Sequence, residues 1–187
     1  GINPIAVFSR YPLIGGRFIT YTHSANSSML CDIILNTDTI RLLNNHLQTT
    51  SVSQNRKKWE RELATDNTRR EAQAVQDAAE TLHENFVKRA FQTDSICQLA
   101  TAIPHPVLMC VDINSLPSSY TYHRLSESLK DGFKTGGHGY MYTYRYGKRM
   151  LRIDYAFHSP ELECTDYYSP NLDLSSDHNP VIITVKY

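Results

Sequence analysis

The stretch VLMCVDINSLPSSY, Val107–Tyr120, decides how the chain is read. Five apolar residues run straight into Asp112 and Asn114, then into Pro117 and two serines. The apolar run fits a buried strand. Its end admits two readings: Asp-x-Asn before a proline is an ordinary Asx-type turn, and a carboxylate beside an amide at a strand end is also part of a phosphoester-cleaving site.

Working outward, Pro104 and Pro106 close the segment before the strand. Upstream of them, Val75, Ala79, Leu82, Phe86 and Ala90 recur at spacings of three and four, which reads as one apolar helix face. Ile96, Leu99 and Ile103 extend it, so the spacing predicts a helix over 68–102. Trp59 and Leu63 suggest a shorter helix before it. Further upstream, 28–35 and 39–47 flank the turn-prone triplet NTD and read as a hairpin. Residues 4–13 and 15–24 read as two more strands. Downstream, 119–129 reads as a short helix and GGHG (136–139) as a loop. YMYTYRY (140–146) reads as a strand with Tyr140, Tyr142, Tyr144 and Tyr146 on one face, and 149–159 and 180–187 as strands. The pattern is α/β, with largely antiparallel sheets and helices on the outer faces.

A chain of 187 residues suits one domain. Lys+Arg and Asp+Glu are both 19, so no overall field draws the chain to nucleic acid or anionic membrane. The basic run RKKWERE (56–62) reads as a solvated helix face. The cysteines Cys31, Cys97, Cys110 and Cys164 show no paired spacing that indicates a disulfide framework or a zinc site. No apolar stretch approaches the roughly 18 residues of a membrane span, and no targeting segment is visible.

Four polar segments end or interrupt the strands: NNHLQ with His46, VDIN with Asp112 and Asn114, RIDY with Asp154, and SSDHNP with Asp177 and His178. Singly, each has a bland reading as a core histidine, a turn, a strand ion pair or a polar loop. Together they supply most of what phosphoester hydrolysis requires. A base or orienting group must act on water, positive charge must meet the phosphoryl oxygens, and the departing oxygen must be protonated or coordinated.

The order VFSRYPL, NNHLQ, VDINSLPSSYTY, LRIDYAF, SSDHNPV resembles the endonuclease/exonuclease/phosphatase superfamily, whose members include nucleases, sphingomyelinases and inositol phosphatases. It looks closest to bacterial members, and the resemblance covers nearly the whole chain. It implies a four-layer α/β sandwich, two mainly antiparallel sheets flanked by helices, with the first sheet incomplete here. It implies a Mg²⁺- or Mn²⁺-dependent phosphoester hydrolase, acting on nucleic acid, phospholipid or a small phosphoester. By resemblance, Asp112 orients or deprotonates the attacking water, and Asn114 holds phosphate or water. His178 is general base or phosphate-stabilising imidazolium, and Asp154 orients its ring. Asp177 helps bind the metal, and His46 contacts the phosphate or leaving group. Arg152 is read as a structural ion-pair partner.

The chain departs from the family pattern at four positions. Val111 replaces a glycine and is expected to narrow the site, Ile113 replaces a phenylalanine, Ser115 an aspartate and Asn45 a threonine. The family's Asn-bearing strand and Gln-Glu strand, the latter with a metal-binding glutamate, do not precede residue 4. The chain is therefore expected to be the C-terminal two-thirds of one domain (1–187), with weak metal binding and little activity alone. Self-association through an exposed sheet edge, or disorder near residues 1–30, is expected to follow. The alternative reading is a non-catalytic sandwich acting as a binding module.

Overall fold

A computed structural model of the chain describes residues 5–51, 55, 61, 68–102, 104–146, 150–172 and 175–187. The elements in chain order are β1 (Leu13–Thr20), β2 (Ser27–Leu35), β3 (Asp38–His46), α1 (Thr68–Thr101), β4 (Val107–Asp112), α2 (Tyr120–Ser126), β5 (Lys130–Asp131), α3 (Gly132–Gly136), β6 (Asp154–His158), β7 (Glu163–Tyr168) and β8 (Ile182–Lys186). The short helix read around Trp59 and Leu63, and most of the basic run at 56–62, lie outside the described residues.

β4 sits inside a six-stranded sheet of order β1-β2-β3-β4-β6-β5, and β7 and β8 form a second, two-stranded sheet. Only the β3–β4 pairing in the large sheet is parallel. That pairing needs a crossover, and α1 is the main element of it. The expected α/β class with two mainly antiparallel sheets and helices is what the chain forms.

Each face of the large sheet has its own core. On one side Leu43, Met109, Val111, Tyr155 and Phe157 pack with Ile96, Cys97 and Ala100 of α1 and Tyr122 and Leu125 of α2. On the other side Ala156 packs with Cys164 and Tyr167 of β7 and Ile183 of β8. α3 fits closely there because it begins on a glycine: a Cβ at Gly132 would lie 2.7 Å from side-chain atoms of both Tyr167 and Ile183.

Several elements were foreseen. α1 spans the predicted helix, and Ser119 caps α2 by accepting a hydrogen bond from the Tyr122 N–H. The β2–β3 hairpin turns at Asn36, which takes the left-handed conformation that asparagine tolerates (φ 55°). Other expectations need correction. Residues 5–12 are not a strand, and pairing with β2 starts at Leu13. Residues 13–20 form an edge strand paired with β2. The tyrosine segment is irregular as well. The N–H groups of both Thr143 and Tyr144 donate to the Leu151 carbonyl, which breaks the alternation a ladder requires. β7 escaped notice because a register shift between Cys164 and Asp166 disrupts its period of two.

The buried face of α1 is also rotated from the one read in the sequence. Val75 and Phe86 are exposed, whereas Asn85, Arg89, Gln92 and Thr93 are buried. Those polar groups have backbone partners. Arg89 Nε donates to the Gln48 carbonyl at 2.8 Å, and Gln92 Oε1 accepts from the Gln48 N–H at 2.7 Å. Among the described residues no helix is long and apolar enough to cross a membrane.

Phe157 is fully buried and stacks on Tyr155 at 5.7 Å between ring centres. Phe157→Ala is expected to cost about 3–5 kcal/mol in urea unfolding. Phe91→Ala, on the exposed side of α1, is expected to change stability by less than about 0.5 kcal/mol.

Candidate active site

Three of the sequence-predicted residues are neighbours by strand register. His46 pairs with Asp112 across β3–β4, and Asp112 pairs with Asp154 across β4–β6. In-register residues of adjacent strands share a face. Since Val107, Met109 and Val111 point into the helix-side core, Asp112 points to the other side, and His46 and Asp154 point with it. Val111 therefore packs in the core with Leu43 and Met109.

The end of β4 forms the turn that was one of its two readings. The Asn114 N–H donates to Asp112 Oδ1 at 2.8 Å, an Asx-type turn, with Asn114 in the left-handed conformation (φ 48°). Asn114 Nδ2 donates to the Leu47 carbonyl at 3.2 Å, tying the end of β4 to the residue after His46.

The fourth residue arrives from a separate segment. His178 Nδ1 lies 2.8 Å from Asp154 Oδ2, so Asp154 fixes the ring and leaves Nε2 as its other polar atom. The segment holding His178 is stitched to 143–145. The Arg145 N–H donates to the Asp177 carbonyl at 2.9 Å, and the Asn179 N–H to the Thr143 carbonyl at 2.7 Å. Thr143 braces the other partner too, because its hydroxyl accepts from the N–H groups of both Ile153 and Asp154 at 3.0 Å. One fully buried threonine thus positions both members of the His178–Asp154 pair. The sequence offered it only as a spacer between tyrosines.

Arg89 was also missed. It is buried, and its Nη1 donates to Ser115 Oγ while its Nε holds the Gln48 carbonyl. It therefore spans the two loops that follow His46 and Asn114. A helix-period reading assigns a lone arginine to solvent, so nothing in the sequence singled it out. Arg152 forms the foreseen structural pair, a bidentate and buried bridge to Asp131 at 2.9 and 3.1 Å.

The electrostatics follow from this crowding. Burial and the neighbouring Asp154 carboxylate push Asp112 up to about 7, against opposing pulls from the Asn114 N–H, His178 and Arg89. The Asp154 hydrogen bond raises His178 to about 9, so the ring is an imidazolium at neutral pH. Burial and the nearby His178 charge lower His46, which stays neutral there. His46 Nε2 is 3.7 Å from Asp112 Oδ2.

These groups line a cavity of about 1030 Å³, together with Asp177, Asn179, Tyr144, Tyr146 and Leu151. Asp112, Asp154 and His178 each offer a ligand atom, all within 4.8 Å of one another. Asp177, expected to bind metal, is exposed, lines the cavity and lies outside that triad. The structure thus brings His46, Asp112, Asn114, Asp154 and His178 to one cavity, with Asp177 also lining it.

The family model described as Endonuclease/Exonuclease/phosphatase family matches residues 1–178. The chain belongs to this family. Solved structures of the endonuclease/exonuclease/phosphatase fold agree. One from Bacteroides vulgatus, an endonuclease/exonuclease/phosphatase, superposes with a TM-score of 0.63 at 15% identity, over 94% of this chain and 66% of that one. A humanized D. rerio TDP2 gives 0.63 at 13%, over 95% and 68%. A mannosyl-6-phosphatase from Bacteroides thetaiotaomicron gives 0.58 at 13%, over 95% and 67%. At such identities the likeness shows a shared fold. The chain spans about two thirds of the length of these three structures. No curated protein matches it.

The Asp154 hydrogen bond is the largest cause of the raised His178 pKa. In the metal-free protein, Asp154→Asn is expected to bring the His178 titration from about 9 down toward the ordinary 6.5. A ¹H–¹⁵N imidazole titration reads it directly, and an unchanged midpoint would contradict the pairing.

Proposed function

We propose that this chain carries the catalytic centre of a metal-assisted phosphoester hydrolase. The observation that carries the reading is the His178–Asp154 pair set against Asp112 in one cavity. An imidazolium held by a carboxylate, next to a second carboxylate that titrates near neutrality, is a poised arrangement for acid–base work.

In this reading the substrate phosphate sits against His178, whose Nε2–H donates to a phosphoryl oxygen where charge develops. Asp112 orients the attacking water and, ionised above about 7, accepts its proton. Asn114 has one amide hydrogen committed to the Leu47 carbonyl, so its Oδ1 and remaining N–H face water or phosphate. Neutral His46 hydrogen-bonds the leaving oxygen. Asn179 supports a ligand in this cavity. Its amide is buried, and neither Oδ1 nor Nδ2 has a partner among the described residues, an arrangement that costs about 1–3 kcal/mol unless a bound group meets it.

The donor set also suits a hard cation. Two crowded carboxylates, with Asp177 lining the same cavity, match the oxygen ligands and retained waters that Mg²⁺ or Mn²⁺ prefers. When bound, such a cation supplies charge neutralisation at the phosphoryl oxygens and a lowered pKa for bound water. Asp112 and Asp154 would hold it.

The substrate class follows from relatives only as a proposal: a nucleic acid, phospholipid or small phosphoester. The expected self-association would run through the edge strand β1, and light scattering reports it.

The test is hydrolysis of bis(p-nitrophenyl) phosphate with Mg²⁺ or Mn²⁺, by this chain and by a version extended upstream to the length of its relatives. The extended protein is expected to turn over and the chain alone to be far slower. Chelation should abolish turnover, and His178→Ala should lower kcat by about 10²–10⁴. No turnover in either length, with every metal, would favour the non-catalytic binding module.

A further inference from the structure

Asp154 grips His178 by one atom. Its Oδ2 lies 2.8 Å from Nδ1. The two side chains are only partly buried, with 26% of the histidine and 20% of the aspartate exposed, so packing alone does not lock the ring. A single hydrogen bond fixes the place of Nδ1 better than the tilt of the ring about it. Nε2, the atom used in the proposed reaction, sits on the far side of the ring and moves with that tilt. A second contact is needed to aim it.

Tyr144 supplies that contact. The Arg145 N–H donates to the Asp177 carbonyl at 2.9 Å, and the Asn179 N–H to the Thr143 carbonyl at 2.7 Å. Between these two bonds, Tyr144 and His178 face each other as an antiparallel bridge. They form a non-hydrogen-bonded cross-strand pair, the kind whose side chains stand closest and on one face. Their rings meet T-shaped, with centres 5.3 Å apart and planes at 68°, a favoured arrangement of aromatic rings. The backbone beneath Tyr144 is held on its other side as well, where its N–H donates to the Leu151 carbonyl at 3.0 Å. Tyr146 backs the Tyr144 ring, again T-shaped, at 5.9 Å.

Resting on the hydrolase reading, we propose that Tyr144 is a positioning residue for that reaction: its ring buttresses the His178 imidazole and aims Nε2 at the phosphate. Asp154 fixes one end of the imidazole, and Tyr144 fixes its tilt. The ring makes the contact, so the tyrosine hydroxyl is dispensable.

Two readouts test this. The first is turnover of bis(p-nitrophenyl) phosphate by the upstream-extended protein. Tyr144→Leu is expected to lower kcat by about 10-fold to 100-fold, the scale of a small displacement of a reacting group, with KM nearly unchanged. Tyr144→Phe keeps the ring and should restore most of kcat. Wild-type kcat in the leucine variant, a loss carried by KM, or a phenylalanine variant as impaired as the leucine one overturns the proposal. A KM loss would mean that Tyr144 meets the substrate directly. The second readout needs neither metal nor turnover. In this chain, three-bond couplings across χ1 of His178 should report one rotamer in the wild type and in Tyr144→Phe, and an average of rotamers in Tyr144→Leu. Tyr144→Met, which fills the space without a ring, takes its place if the leucine variant does not fold. A single His178 rotamer in a folded ringless variant overturns the proposal. If no extended protein turns over while the rotamer still depends on the ring, the hydrolase reading fails and the buttress stands.

Discussion

Strand register is the constraint on which the site depends. His46, Asp112 and Asp154 come from segments far apart in sequence, yet they form one row because β3, β4 and β6 pair in a single alignment. A slip of one residue at β4 would turn Asp112 into the helix-side core and Val111 toward the cavity. Val107, Met109 and Val111 prevent this, since they can be buried against α1 and α2 in only one alignment. The apolar half of the strand thus fixes where the polar end points.

A second set of interactions, polar and buried, carries that order into the loops. Arg89 and Gln92 hold the backbone at Gln48, just after His46, and Arg89 also holds Ser115, just after Asn114. Thr143 does the same for Asp154 and for the segment bearing His178. These groups touch none of the reacting atoms in the proposed reaction. They set the positions of groups that do, where small displacements are costly. The electrostatics follow from that placement. Two carboxylates and two imidazoles brought this close cannot all keep their ordinary protonation, so Asp112 is driven up, His178 up and His46 down.

How much of this was legible depended on the period of each segment. The run at β4 and the long repeat of α1 were readable because apolar residues mark buried elements. The paired face of α1 was misread because Asn85, Arg89 and Gln92 are buried by hydrogen bonding, which hydropathy does not register. The tyrosine alternation at 140–146 suggested a strand, but two consecutive N–H groups share the Leu151 carbonyl, and no sequence rule announces that. β7 hid behind a register shift. Among site residues, His46, Asp112, Asn114, Asp154 and His178 were legible because their types match a chemistry. Thr143 and Arg89 were not, because their importance lies in what they hold.

The central claim is that this register builds one centre for a divalent cation and a phosphate. The most direct measurement is anomalous diffraction from crystals of the chain soaked in Mn²⁺. The account predicts a peak bounded by Asp112, Asp154 and His178, and its loss in Asp112→Asn. A well-occupied peak elsewhere, or a triad that binds nothing while another site fills, would contradict it.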